Sequence, residues 1–125
     1  CGQGASFVAL PELFNGLGEP QRIAELAEFV PGETSDLMSQ VAAEHGATLL
    51  AGSIAERERG TDRIYNTSLL FGPDGVLQAS YRKIHLFEVD MPGKVSFCEA
   101  DLMSPGGEIE VTDTAVGVIG AAPCL

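Results

Sequence analysis

Tyr65-Asn66-Thr67-Ser68-Leu69-Leu70-Phe71, then Gly72-Pro73-Asp74-Gly75, then Val76-Leu77-Gln78-Ala79-Ser80-Tyr81-Arg82 read as two strands joined by a tight turn. Aromatic and aliphatic runs flank a cluster of Gly, Pro and Asp, which is the local signature of an antiparallel hairpin. The next residues are Lys83-Ile84-His85-Leu86-Phe87, so a lysine and an arginine stand side by side where the second strand ends. Neighbouring strand residues point to opposite faces, and Arg82 is read as the solvated member of the pair. Taken alone, Lys83 is a sheet-edge charge or a snorkelling stem with its head in water. His85 is read as a hydrogen-bonded structural residue.

Upstream of the hairpin, residues 48–54 have strand character and residues 55–63 are polar enough for a surface loop. Two helices are predicted before that. The first covers 20–30, with Ile23, Leu26, Ala27 and Val30 recurring at helical spacing and Pro31-Gly32 closing it. The second starts near Thr34 or Ser35, either a good N-cap, and stops at Gly46. Phe7-Val8-Ala9-Leu10 is a short apolar strand of buried type that Pro11 ends, so Glu12 falls at a strand end. Downstream, residues 88–107 carry two Pro-Gly pairs and little periodicity, and they read as a long ordered loop of the kind that carries function. Two last strands are predicted over 108–112 and 115–122. Val116-Gly117-Val118-Ile119-Gly120 is apolar on both faces, as in a strand buried within a sheet sandwich. The plan is layered α/β in one domain, residues 1–125.

Composition narrows the function classes. Eighteen acidic residues against seven basic ones give a net charge of −11, a field that repels phosphate backbones and anionic lipid. Nucleic-acid and membrane partners are therefore not expected. No apolar run approaches the roughly 20 residues of a membrane helix. Cys1, Cys98 and Cys124 are odd in number and lack paired spacing, so neither a disulfide framework nor a zinc site is expected. Free thiols suit a reducing, cytoplasmic setting.

Three side chains could do chemistry. Cys124 follows a strand and a proline, a corner that can expose a nucleophile and align the N–H groups after it; a lone cysteine is otherwise a small buried hydrophobe. Glu12, flanked by apolar residues, would be desolvated and so become a usable general base; its plainer reading is a surface or helix-start residue. Lys83 completes the set.

The chain resembles the nitrilase (carbon–nitrogen hydrolase) superfamily, most like its ω-amidase branch. The motifs that carry the resemblance occur in order: Leu10-Pro11-Glu12-Leu13-Phe14-Asn15, Gly52-Ser53-Ile54, Tyr65-Asn66-Thr67, Phe71-Gly72-Pro73-Asp74-Gly75, Tyr81 to Leu86, Pro92-Gly93-Lys94, Phe97-Cys98-Glu99 and Ser104-Pro105-Gly106. The resemblance implies half of a nitrilase-type αββα sandwich, an incomplete N-terminal half of the domain. It implies no metal and no organic cofactor, and a homo-oligomer when the domain is complete. Glu12 would be the base, Lys83 the cation beside the developing oxyanion, Cys124 the nucleophile, and Glu99 the second glutamate that positions the lysine. The substrate would be a small-molecule amide, a dicarboxylate monoamide such as α-ketoglutaramate or α-ketosuccinamate. Alternatives are a catalytically silent fragment or partner-binding subunit, or action on another amide, carbamoyl or nitrile compound. One departure stands out: the family continues from this strand into Gly-Ile-Cys-Tyr-Asp or a close variant, whereas here Ala121-Ala122-Pro123 precedes Cys124. Pro123 removes a backbone donor just before the expected nucleophile.

Overall fold

The computed structural model describes residues 4–16 and 21–123. A four-stranded sheet of order β1-β2-β3-β4 forms its centre, from β1 (Phe7–Ala9), β2 (Thr48–Arg57), β3 (Ile64–Phe71) and β4 (Leu77–Arg82). β1 runs parallel to β2, whereas β2, β3 and β4 are antiparallel in turn. β3 is buried along its whole length, as a central strand should be. The hairpin expected between β3 and β4 is present. Gly72 N–H donates to Val76 C=O across its turn, and Gly75 takes φ +80°, a conformation that favours glycine.

Residues 48–57 pass a β-bulge. Ala51 opposes Leu69 and Ile54 opposes Thr67, so β2 uses three steps where β3 uses two. One extra residue reverses the side-chain alternation. Ala51 and Ile54 therefore both join Leu49, Leu69 and Phe71 under Ala42 of α2 (Glu33–His45). Ile54 and Leu69 are fully buried, worth about 1.5–3 kcal/mol each. Beyond the bulge Ala55 turns to the other face, where it packs with Ile64, Met103 and Ile23 of α1 (Gln21–Leu26).

Several elements depart from the sequence expectation. α1 ends at Leu26, not at residue 30, because Glu28 pairs with the edge of β2: its N–H donates to Ala55 C=O and its C=O accepts from Arg57 N–H. Pro31 restricts Val30 to extended backbone and so bars the helix from running on to it, and the open strand edge captures Glu28 before that point. The same contact explains why β2 continues through Arg57 into the segment expected to be a loop. α2 begins at Glu33 with Gly32 as its N-cap. Thr34 and Ser35 therefore lie inside the first turn, where Ser35 Oγ accepts from Gly32 N–H. Gly46 closes the helix in the left-handed conformation at φ 57°. β1 is a partly exposed edge strand, not the buried one expected.

The expected loop over 88–107 contains a hairpin, β5 (Glu88–Met91) with β6 (Val95–Cys98), and a 3₁₀ turn at Glu99–Asp101. Pro92-Gly93-Lys94 makes its turn, with Gly93 at φ +75°. Finally β7 (Val111–Thr114) and β8 (Gly117–Gly120) pair only with each other. Val118 is 69% exposed, so the burial expected of Val116–Gly120 is absent from this structure.

Candidate active site

Glu12 follows β1 in a turn that the bulge builds. Gly52 approaches so closely that a Cβ there would lie 1.8 Å from Leu10 O and 2.4 Å from Pro11 O. Ser53 Oγ, fully buried, accepts from Leu13 N–H at 2.9 Å. Leu13 itself sits at φ 49°, a conformation that costs a side-chain-bearing residue about 1 kcal/mol or more and is held here by its surroundings. Gly52 and Ser53 thus set the path of the turn and the exit of Glu12.

Lys83 follows β4, with its N–H donating to Asn66 C=O at 2.8 Å and its C=O accepting from Gly106 N–H at 2.9 Å. Its Nζ reaches Glu12 Oε1 at 2.9 Å and Glu99 Oε2 at 2.8 Å. Glu99 comes from the 3₁₀ turn after β6. Asn66 completes the ring: its Nδ2 donates to Glu12 Oε1 at 2.7 Å and to Glu99 Oε1 at 2.9 Å. Residues 12, 66, 83 and 99, distant in sequence, share one hydrogen-bonded cluster.

The two glutamates are not equivalent. The Glu99 side chain is 7% exposed and both oxygens are engaged, Oε2 also accepting from Phe87 N–H at 2.8 Å. Burial pushes its pKa up, but the hydrogen bonds from Lys83, Phe87 N–H and Asn66 outweigh that and hold it below the usual value. Glu99 is a fixed anion. The Glu12 side chain is 37% exposed, so the desolvation expected of Glu12 falls on Glu99 instead. Among the described residues, hydrogen bonds reach only Oε1 of Glu12. Its Oε2 is open to a proton. The Lys83 side chain is 3% exposed; burial lowers its pKa, yet the hydrogen bonds and charges of Glu99 and Glu12 more than compensate and raise it. It stays an ammonium.

Arg82 points to the opposite face, as alternation requires. It is clamped there, not simply solvated: it bonds Glu56 at 2.6 Å and Glu58 at 3.0 Å and stacks 3.9 Å over Tyr65. His85 is exposed and makes no hydrogen bond among the described residues, against the structural role expected of it. Cys124 lies outside the described residues. Two clefts meet at Glu12. One, of about 190 Å³, is lined by Leu13, Lys83, Phe87, Phe97 and Glu99. The other, of about 340 Å³, sets Glu12 and Ser68 against Gly120, Ala121, Ala122 and Pro123, the segment that leads to Cys124.

The carbon–nitrogen hydrolase family profile matches residues 1–125. The chain belongs to that family. Among known carbon–nitrogen hydrolases it is 47% identical to omega-amidase NIT2-B of Xenopus laevis over 122 residues, 98% of this chain and 44% of that protein. Against omega-amidase NIT2 of Homo sapiens it is 45% identical with the same coverage. The crystal structure of Saccharomyces cerevisiae Nit3, a member of branch 10 of the nitrilase superfamily, aligns with a TM-score of 0.75 at 33% identity, over 92% of this chain and 40% of that one. The α/β arrangement is thus that of the nitrilase superfamily, and the chain spans less than half the length of the curated relatives it matches.

Asn66 is the member of the cluster that the motif reading quoted without a role. The signal was available. Asn is disfavoured in strands, and one set in an apolar, fully buried strand needs a polar partner to be tolerated.

Proposed function

We propose that the protein carrying this chain is an amidohydrolase of the ω-amidase type. It would hydrolyse small dicarboxylate monoamides such as α-ketoglutaramate and α-ketosuccinamate to the dicarboxylate and ammonia, through a cysteine thioester. One observation carries the reading: Glu12 and Lys83, 71 positions apart, meet at 2.9 Å beside a cleft, with one Glu12 oxygen left open. Identity to proteins named omega-amidases supports the substrate class.

In this mechanism Glu12 Oε2 takes the Cys124 thiol proton, and the thiolate attacks the amide carbon. The substrate oxygen gains negative charge and Lys83 Nζ stabilises it. The C–N bond then breaks, Glu12 returns the proton to the departing nitrogen, and ammonia leaves a thioester. A water molecule gives a proton to Glu12 and attacks the thioester carbon. The C–S bond breaks, the acid forms and the cysteine recovers its proton. Glu99 keeps Lys83 in place and charged throughout. Pro123, the residue before Cys124 in the sequence, lines the same cleft as Glu12. The proposal includes a reducing, cytoplasmic setting, in keeping with free thiols, and a homo-oligomeric assembly.

The test is ammonia release from α-ketoglutaramate by the whole protein. Glu12→Gln and Cys124→Ala should each abolish it, and Lys83→Met should lower kcat by about 10²-fold or more. Turnover that survives Glu12→Gln and Cys124→Ala would overturn the mechanism. Turnover of a nitrile or carbamoyl compound in place of the monoamide would overturn the substrate.

A further inference from the structure

We infer that Asn66 is the positioning residue of this site: its side-chain amide binds the two glutamates to each other and selects the Glu12 oxygen that receives the proton. The inference rests on the amidohydrolase reading for its kinetic consequence, but not for its geometry.

Asn66 touches every member of the cluster. Its Nδ2 spends one hydrogen on Glu12 Oε1 at 2.7 Å and the other on Glu99 Oε1 at 2.9 Å. Its backbone C=O accepts from Lys83 N–H at 2.8 Å. Among the described residues, no other hydrogen-bonds to all three. The amide cannot be turned over, since Oδ1 would then face two carboxylates with no proton between them.

Its Oδ1 is also informative. Asn66 is fully buried, and Oδ1 has no hydrogen-bond partner among the described residues. A buried acceptor without a donor lowers stability. The residue therefore weakens the fold at one end to supply two donors at the other.

The choice of an amide follows from charge. Two carboxylates face one ammonium at Lys83, so the cluster carries surplus negative charge. A second cation would cancel that surplus charge. A hydrocarbon would leave the carboxylates to repel each other in a low-dielectric setting. A neutral double donor counters the repulsion while leaving one negative charge able to accept a proton. Because Asn66 and Lys83 both occupy Glu12 Oε1, Oε2 is the oxygen left for transfer. Proton transfer needs that oxygen placed within hydrogen-bond reach, so losing the restraint should slow chemistry more than binding.

The experiment compares the whole protein with its Asn66→Leu variant, similar in size and without donors. Steady-state ammonia release should show kcat reduced roughly 10- to 100-fold, as expected for loss of a hydrogen bond to a charged group, with KM within about twofold. The Glu99 carboxyl, followed by carbon-13 NMR, should titrate at higher pH in the variant, because one of the hydrogen bonds that holds it down is gone. A purely structural role would instead lower the folded fraction and leave the Glu99 titration in place. Unchanged kcat with unchanged Glu99 titration would overturn the inference. If Asn66→Leu does not fold, the unsubstituted protein decides: both Asn66 side-chain amide protons should shift as Glu99 protonates, and static resonances would overturn the inference. If the unsubstituted protein releases no ammonia, the amidohydrolase reading fails on its own, and the two NMR readouts, which need no turnover, still judge Asn66.

Discussion

Removing the Lys83 ammonium, as in Lys83→Met, leaves Glu99 buried with its negative charge and only the Asn66 and Phe87 donors. Breaking one partner out of a buried ion pair costs about 3–5 kcal/mol, so urea denaturation should show a loss of that order alongside the loss of turnover. Glu99→Gln should cost less, because it removes the buried anion and leaves Lys83 paired with Glu12. If the two variants prove equally stable, the picture of Glu99 as a buried fixed anion is wrong. The same pair sets how stability varies with pH. Glu99 has its pKa lowered in the fold, so its contribution is complete above the unfolded carboxyl value of about 4.3 and fades as pH falls through the folded value. Lys83 has its pKa raised; its contribution is complete below the unfolded value of about 10.4 and fades as pH rises through the folded one. Thermal melts should therefore fall off in acid more steeply than those of Glu99→Gln. At this scale the sequence was readable only through ordered motifs. Nothing in local spacing distinguishes Lys83 from an edge charge, or Glu99 from the other acids, because what distinguishes them is contact across dozens of residues.

At the scale of elements, the bulge in β2 connects packing to chemistry. Gly52 lets the backbone of Leu10 and Pro11 lie against the strand, and Ser53 receives Leu13 N–H. Gly52→Ala would put a methyl carbon 1.8 Å from the Leu10 carbonyl oxygen, far inside van der Waals contact with backbone that has no flexible side chain to give way. A loss of about 1–3 kcal/mol is expected, with a disproportionate fall in kcat because the displaced backbone is the one that carries Glu12. Ser53→Ala should cost about 1–3 kcal/mol by leaving Leu13 N–H unpaired. Retained activity and stability in Gly52→Ala would show that the turn relaxes without moving the glutamate. The β3–β4 hairpin was legible because its turn chemistry is local. α1 was read too long because helical spacing over 20–30 is silent about the open edge of β2, which takes Glu28 by backbone pairing. The β5–β6 hairpin was missed because strands of four residues give too few alternations to register.

Across the whole molecule, burial is uneven in a way that bears on where the chain opens first. β3 lies between β2 and β4 with every residue buried, whereas β7 and β8 pair only with each other and expose Val111, Val116 and Val118. The apolar composition of Val116–Gly120 suggested a buried strand, but burial is a property of neighbours as well as of composition, and Val116 and Val118 are exposed here. Local opening free energy follows contact density. Amides of β3 should thus exchange only through opening of the entire sheet, and those of β7–β8 through local separation of one short hairpin. In native-state hydrogen exchange on this chain, Val118 and Ile119 should exchange well ahead of Leu69 and Leu70, and mild denaturant should slow none of them while accelerating only the β3 set appreciably. The segment 120–123 that faces Glu12 across the second cleft follows directly from β8. Its position relative to the carboxylate therefore depends on a strand pair outside the central sheet. Equal protection of β8 and β3 would show that the hairpin is secured by contacts other than its own pairing, and would remove that dependence.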